Sequence, residues 1–206
     1  MSEPSWVPLG EGDATLEENW LFRLRRERFR SRRSGKEHDY YVIRLADAVH
    51  VIAITTDRKL VLVRQFRAGS GRDSLETPGG LLNPGEDPLV AGTRELLEET
   101  GYAGRAPVYL GTVWANPSIV SSRITTILVE DACQVVATEF DEHEELTLQL
   151  VSEAEIPSLI EDGRIDHALV VQGLLAWMAW RDGLIQFDRQ KQYFGPTAET
   201  LTDPTG

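Results

Sequence analysis

Glu95, Glu98 and Glu99 lie within a five-residue stretch, at spacings that bring all three to one side of an α-helix, where successive residues are about 100° apart. Carboxylates stacked at i, i+3 and i+4 repel one another and cost helix stability. Clustering them is useful only if cations neutralise them; the bland alternative is a solvated acidic face. Oxygen donors on a partly open site suit Mg²⁺ or Mn²⁺, which keep waters and accept phosphate oxygens as further ligands. The helix ends are legible. Asp87 can cap, Pro88 suits the first helical position and Gly101 falls just past the end, so the pattern predicts a helix over residues 88–100. Leu89, Val90, Thr93, Leu96 and Leu97 are expected on its opposite side.

These glutamates belong to a longer constellation. Gly80 is followed by Glu86 after a five-residue gap and by Arg94-Glu95 after a seven-residue gap; Leu96, Glu98, Glu99, Gly101 and Tyr102 complete it. The stretch resembles the Nudix box, the motif of hydrolases that cleave a nucleoside diphosphate linked to another moiety. The resemblance implies that Glu95 and Glu99 are metal carboxylates, with Glu98 assisting directly or through water and also a candidate for catalysis. It implies that Arg94 orients these glutamates with Glu86 as its partner, and that Gly79 and Gly80 let the backbone approach the metal, the Gly79 carbonyl serving as a ligand. The implied cofactor is Mg²⁺ (or Mn²⁺). Tyr102 stands where the family pattern has an aliphatic residue, a packing change that leaves the metal site untouched.

Features outside the box bear on the substrate. Glu76-Thr77-Pro78-Gly79-Gly80 resembles the entry strand of the Nudix branch that hydrolyses ADP-ribose and nucleoside diphosphate sugars, and Arg64-Gln65-Phe66-Arg67 resembles a strand end of the same branch. Arg67 and Arg64 are therefore candidate phosphate contacts, since a guanidinium can bind phosphate oxygens bidentately, and Glu76 is a further substrate-side candidate. Asn116-Pro117-Ser118 looks like a variant found among nucleotide-sugar hydrolases. Ser121-Ser122-Arg123 replaces the acidic residue usual in that branch, which leaves nucleotide sugars other than ADP-ribose open. The acidic run Glu139 to Glu145 corresponds to a loop that returns a glutamate over the metals; Glu144 is the expected base and Glu142 the second choice, against a plain solvated loop. The implied reaction is metal-assisted hydrolysis of the diphosphate to a nucleoside monophosphate and a sugar phosphate. The alternatives are a Nudix enzyme acting on nucleoside triphosphates or capped nucleotides, and a nucleotide-sugar sensor that binds without cleaving.

The elements that must position these residues can be sketched from periodicity. The first 16 residues read as a loose lead-in. Trp20, Phe22 and Leu24 alternate with polar residues as a strand does, residues 31–35 read as a turn, and Asp39 to Leu45 as another strand. Val49 to Thr55 and Leu60 to Phe66 read as a hairpin turning at Asp57-Arg58-Lys59. Strands follow at 74–77, 108–114, 124–129 and 146–151, with the glycine-rich box entry as a loop. Ser152 and Glu155 form a capping box for a short helix ended by Gly163, and a long apolar helix spans 166–181. This order, and the resemblance, give an α/β (α+β) fold: a mixed sheet sandwiched between helices, with an N-terminal antiparallel strand extension. The expected organisation is an extension over 1–46, a hydrolase domain over 47–185 and a polar tail over 186–206.

Composition limits the partners. A formal charge of −12 over 206 residues argues against general nucleic-acid binding, which needs positive surface. Against that acidity, residues 23–33 hold seven arginines and one glutamate; an anion-binding strand pair, a nucleic-acid contact and a charged edge that blocks sheet pairing all fit. The branch resemblance implies a homodimer built on the N-terminal strands, with Trp20 and Phe22 at the interface or Trp20 stacked on a base. The lone Cys133 forms no internal disulfide and fits a reducing cytoplasm. The N-terminus lacks the pattern of a signal peptide, and the longest apolar run, 168–179, is interrupted by Gln172 and too short to span a bilayer. A small-molecule substrate, with no membrane or nucleic-acid partner, is the expectation.

Overall fold

The computed structural model describes residues 3–137 and 146–189. The chain divides into two compact units, one of residues up to 46 together with 114–123, the other of 47–113 and the residues from 124 onward.

In the first unit four strands form an antiparallel sheet: β1 (Trp6–Pro8), β2 (Ala14–Glu18), β3 (Arg23–Ser31) and β4 (Glu37–Arg44). Strand β3 is its centre, with β1 and β2 sharing one edge and β4 occupying the other. This corrects two expectations. The first 16 residues are not a loose lead-in, because both short strands find partners on β3. Trp20 and Phe22 are not in a strand: the Asn19 side-chain oxygen accepts the amides of Leu21 and Phe22 and closes a turn, as asparagine does when it competes with a ladder. The arginine-rich segment is an interior strand, not an exposed edge. Its charges are answered by acids on neighbouring segments, Arg28 by Asp39 at 2.7 Å, Arg30 by Glu37 at 2.7 Å and Arg23 by Glu18 at 2.5 Å. Glu27 within β3 takes Arg44 at 2.6 Å.

The second unit is built on an eight-stranded mixed sheet. Its strands are β5 (Ala48–Thr55), β6 (Lys59–Arg67), β7 (Arg72–Glu76), β8 (Gly79–Leu81), β9 (Tyr102–Ala103), β10 (Val108–Trp114), β11 (Arg123–Gln134) and β12 (Thr147–Ser152). The main path runs β10-β11-β5-β6-β12, with β7 on β6, β8 on β5 and β9 on β11. The β11–β5 pair is parallel, and β5, covered on both faces, is nearly all buried, the usual composition of a parallel strand.

Alternation along β5 sorts the helices to opposite faces. Val49, Val51 and Ala53 point into one apolar cluster with Ala91 and Leu96 of helix α1 (Pro88–Thr100). Ile52 and Ile54 point into the other, with Ile156 and Leu159 of α2 (Ile156–Glu161) and Val170, Leu174 and Trp177 of α3 (Ala168–Arg181). Each fully buried Leu or Ile there stabilises the fold by roughly 1.5–3 kcal/mol. Helix α1 has the bounds read from its caps: the Asp87 side chain accepts the Leu89 amide and Gly101 is left-handed at φ 71°.

Its packed face differs from the expected one. Ala91, Gly92, Leu96 and Thr100 are buried, whereas Val90 and Leu97 are exposed. Small residues at 91 and 92 let the helix lie close to the sheet; a Cβ on Gly92 would meet Ile127 Cδ1 at 2.4 Å. The box entry also departs from a loop, since β8 pairs with β5. The chain after α3 is held as far as Arg189: Phe187 packs on the core and Arg189 donates to the N-cap Asp87 at 2.8 Å, so the first residues of the expected polar tail are anchored.

Candidate active site

The capped helix, lying tight on the sheet, presents its acidic side to strand β8. At the centre of that side Arg94 is bound by three carboxylates. Its Nε and Nη2 donate to Glu86 at 3.1 Å each, and its Nη1 donates to Glu95 at 2.8 Å and Glu98 at 2.9 Å. Glu86 is itself fixed by the Asn83 amide at 2.9 Å. Hydrogen bonding to Arg94 and Asn83 holds the Glu86 carboxyl below the usual range, and the hydrogen bond to Glu86 leads those that raise the Arg94 guanidinium above its own. Glu95 moves the other way. Burial, its largest influence, and the neighbouring Glu98 and Glu86 push its carboxyl up despite Arg94. A carboxyl whose negative charge is resisted in this way is one that a further cation would stabilise.

The two glycines before the helix take part directly. Glu99 accepts the Gly79 amide at 2.9 Å. Gly80 leaves a cradle for Glu95: a Cβ there would stand 2.5 Å from one carboxylate oxygen and 2.7 Å from the other. Glu95 beside Gly80 and Glu99 on the Gly79 amide thus bring two carboxylates to the box entry, hard oxygen donors of the kind that suits Mg²⁺ or Mn²⁺. Among the described residues no three acidic, histidine or cysteine side chains converge as metal ligands. In this arrangement Glu95 and Glu98 turn to Arg94, and Glu99 to the Gly79 amide. The donor chemistry fits a divalent cation, with Arg94 the cation that Glu95 and Glu98 now hold.

Other sequence candidates are distributed unevenly. Arg67 and Glu76 form a bidentate pair at 2.9 and 2.7 Å, with the Glu76 side chain 4% exposed and that of Arg67 44%. Burial pushes the Glu76 carboxyl up, but its hydrogen bond and attraction to Arg67 outweigh this and hold it low. Glu99 adds to the raising of Arg67, so Arg67 stands in the field of the acidic helix. Arg64 lies three residues back along β6 and hence on the opposite face of the strand, where it reaches Gln149 at 3.5 Å. The structure therefore brings Arg67, and not Arg64, to the box side of the sheet. Trp20 belongs to the first unit and is 92% exposed, without a stacking partner among the described residues. Glu142 and Glu144 lie outside the described residues.

Sequence reading missed His50. The only polar side chain in the interior of the apolar strand AVHVIAIT was the available signal. Its ring is buried between Thr126, at 2.6 Å from Nε2, and Thr77, at 3.3 Å from Nδ1. Burial, with the neighbouring His167, pushes its pKa down to about 4, so it is neutral at physiological pH.

The Nudix domain family model matches residues 44–174. An ADP-ribose pyrophosphatase of Bacillus subtilis is 29% identical over 136 residues, covering 66% of this chain and 74% of that one. The ADP compounds hydrolase NudE of Escherichia coli is 30% identical over 137 residues, covering 66% and 73%. Among solved structures, a crystal structure of an ADP compounds hydrolase superposes with a TM-score of 0.77 at 26% identity, covering 89% of this chain and 97% of that one. No helix among the described residues is long and apolar enough to cross a membrane.

Proposed function

Because the chain belongs to the Nudix family, we propose that it hydrolyses the diphosphate bond of ADP-ribose or a closely related nucleoside diphosphate sugar, releasing a nucleoside monophosphate and a sugar phosphate. The observation that carries this reading is the grouping of Glu86, Glu95 and Glu98 about Arg94 beside Glu99 on the Gly79 amide. Relatives named for ADP-ribose and ADP compounds supply the substrate class.

In this reading Glu95, Glu99 and the Gly79 carbonyl would hold Mg²⁺ or Mn²⁺. When bound, such an ion polarises the diphosphate oxygens and increases the acidity of water. Arg94 keeps Glu95 and Glu98 ordered and neutralised and engages both oxygens of Glu86. Arg67 is oriented by the buried Glu76 through Nε and Nη2, and its Nη1 edge is assigned to a diphosphate oxygen, the planar recognition at which arginine excels. Glu98, the most exposed of the three helix acids, or a glutamate of the 139–145 run, with Glu144 preferred over Glu142, takes the proton of the attacking water. We assign no role in binding to Arg64. We further assign the N-terminal strands to a homodimer contact, to be checked by light scattering, and the enzyme to the cytoplasm, where Cys133 needs no partner.

The test is a substrate panel of ADP-ribose, ADP-glucose, GDP-mannose, UDP-glucose and nucleoside triphosphates with Mg²⁺, with products identified by mass. ADP-ribose or another diphosphate sugar should be cleaved to two monophosphates. Turnover of triphosphates alone, or binding without cleavage, would overturn the reading.

A further inference from the structure

The box entry is fixed from behind by a residue whose side chain lies on the face of β5 opposite α1. On β5, His50 pairs in register with Gly79 of β8, and the next residue, Val51, donates its amide to the Pro78 carbonyl at 2.8 Å. The approach is close: a Cβ on Gly79 would stand 2.7 Å from His50 Cα and 2.2 Å from the Val49 carbonyl oxygen. The His50 side chain points the other way, toward α3, and there bonds the hydroxyls of Thr77 and Thr126. Thr77 begins the Thr77-Pro78-Gly79 segment, and Thr126 is the in-register partner of His50 on the parallel strand β11. One ring therefore ties the start of the box entry to the central strand of the sheet.

Helix α3 is shaped to admit that ring. A Cβ on Gly173 would fall 2.5 Å from His50 Cε1 and 2.6 Å from Nε2, well inside van der Waals contact. A glycine in a helix interior costs about 1 kcal/mol against alanine, and the position of the imidazole is what this glycine accommodates. An aliphatic side chain here would fill the space but deprive the buried Thr77 and Thr126 hydroxyls of this partner, a costly loss. Here one of the two hydrogen bonds reaches Thr77, in the segment whose next amide, that of Gly79, donates to Glu99, while the other holds the ring to Thr126 of β11.

We propose that His50 is a positioning residue for hydrolysis: acting through Thr77 and the backbone of β8, it sets Gly79, and with it Glu99, and Gly173 is its seat. The inference rests on the active-site reading above. Groups that orient metal-binding residues from behind typically change metal affinity or activity by about 10–100-fold when removed.

The experiment is a double-mutant cycle on the full chain, with kcat and KM for ADP-ribose, Mn²⁺ affinity of the nucleotide-free protein by calorimetry, and thermal unfolding. His50→Val should lower kcat and weaken Mn²⁺ binding, each by about 10-fold or more, with KM nearly unchanged. His50→Asn, which retains a group able to bond Thr77, should recover part of both. Gly173→Ala, far along the sequence, should reproduce the loss by pressing on the ring, yet have little further effect in the His50→Val background. Equal losses from Gly173→Ala in both backgrounds, or unchanged kcat and Mn²⁺ affinity in His50→Val, would overturn the proposal. If His50→Val fails to fold, the same comparison of Gly173→Ala is made in His50→Asn, where an unreduced loss likewise overturns it. Glu99→Gln separates the two levels: if it stays active the site reading fails, and if it is inactive while the His50 variants are normal only this inference fails.

Discussion

Gly79 and Gly80 are adjacent, yet alanine at each should fail in a different way. At Gly80 the added Cβ would lie 2.5 Å from a Glu95 carboxylate oxygen. An ordinary carbon–oxygen contact is roughly 3.3 Å, so the carboxylate must retreat by about 0.8 Å, which a flexible glutamate can do by changing rotamer. The cost to folding is then within about 0.5 kcal/mol, as for surface changes. The cost to chemistry is larger, because a misplacement of about 1 Å in a catalytic group can lower the rate by about 100-fold. At Gly79 the Cβ would instead meet the Val49 carbonyl oxygen at 2.2 Å, an atom of the central strand that cannot withdraw without breaking pairing. Gly79→Ala should therefore lose several kcal/mol of stability, in the range of severe core overpacking. Urea unfolding and ADP-ribose turnover on the same preparations separate the two. Gly80→Ala with full kcat would show that Glu95 need not sit against Gly80, and Gly79→Ala with wild-type stability that β8 does not approach β5 so closely.

Further expectations follow from the same geometry. Gly92→Ala gains helix propensity but drives a methyl against Ile127, so it should destabilise by about 1–3 kcal/mol, measured by urea unfolding; a gain in stability would show that α1 does not lie so close to the sheet. Asp87→Ala removes the cap of α1 and the acceptor of Arg189, and should cost about 1 kcal/mol by thermal unfolding; no loss would mean that neither contact persists in solution. Glu76 has its pKa held below the ordinary 4.5, so its ionised form is favoured by folding, and that stabilisation is present above the unfolded value and lost as pH falls through the folded one. The stability gap between wild type and Glu76→Gln should hence be constant above about pH 5 and narrow below 4.5; a gap that persists undiminished at pH 3 would contradict the Arg67 pairing.

How much of this was legible in the sequence depends on whether the determining contact was local. The bounds of α1 follow from Asp87, Pro88 and Gly101, all within the helix or beside it. The strands around residues 49–66 could be read because β-branched apolar runs leave few other options. What escaped depends on distant partners. Strands β1 and β2 are short, and β1 ends on a proline; they exist because β3 offers them an edge. Trp20 alternates as a strand residue would, but the Asn19 side chain takes the local amides and makes a turn. The acids of α1 were readable from helical spacing, while the exposure of Val90 and Leu97 reflects how closely Gly92 lets the helix approach the sheet. Arg64 and Arg67 look equivalent in a string and are separated by strand parity. The pairing of His50 with Gly173 joins a strand to a helix late in the chain, and no local pattern announces it.

In the proposed reaction, oxygens beside Gly79 and Gly80 hold a divalent cation against a diphosphate. The most direct measurement is ADP-ribose hydrolysis by wild type and Glu99→Gln across a Mg²⁺ titration, alongside their thermal unfolding. Hydrolysis that needs Mg²⁺ in the wild type and is lost by at least about 100-fold in a variant of unchanged melting temperature is the predicted result. Metal-independent cleavage by the wild type, or a Glu99→Gln enzyme with the wild-type Mg²⁺ response, would contradict it.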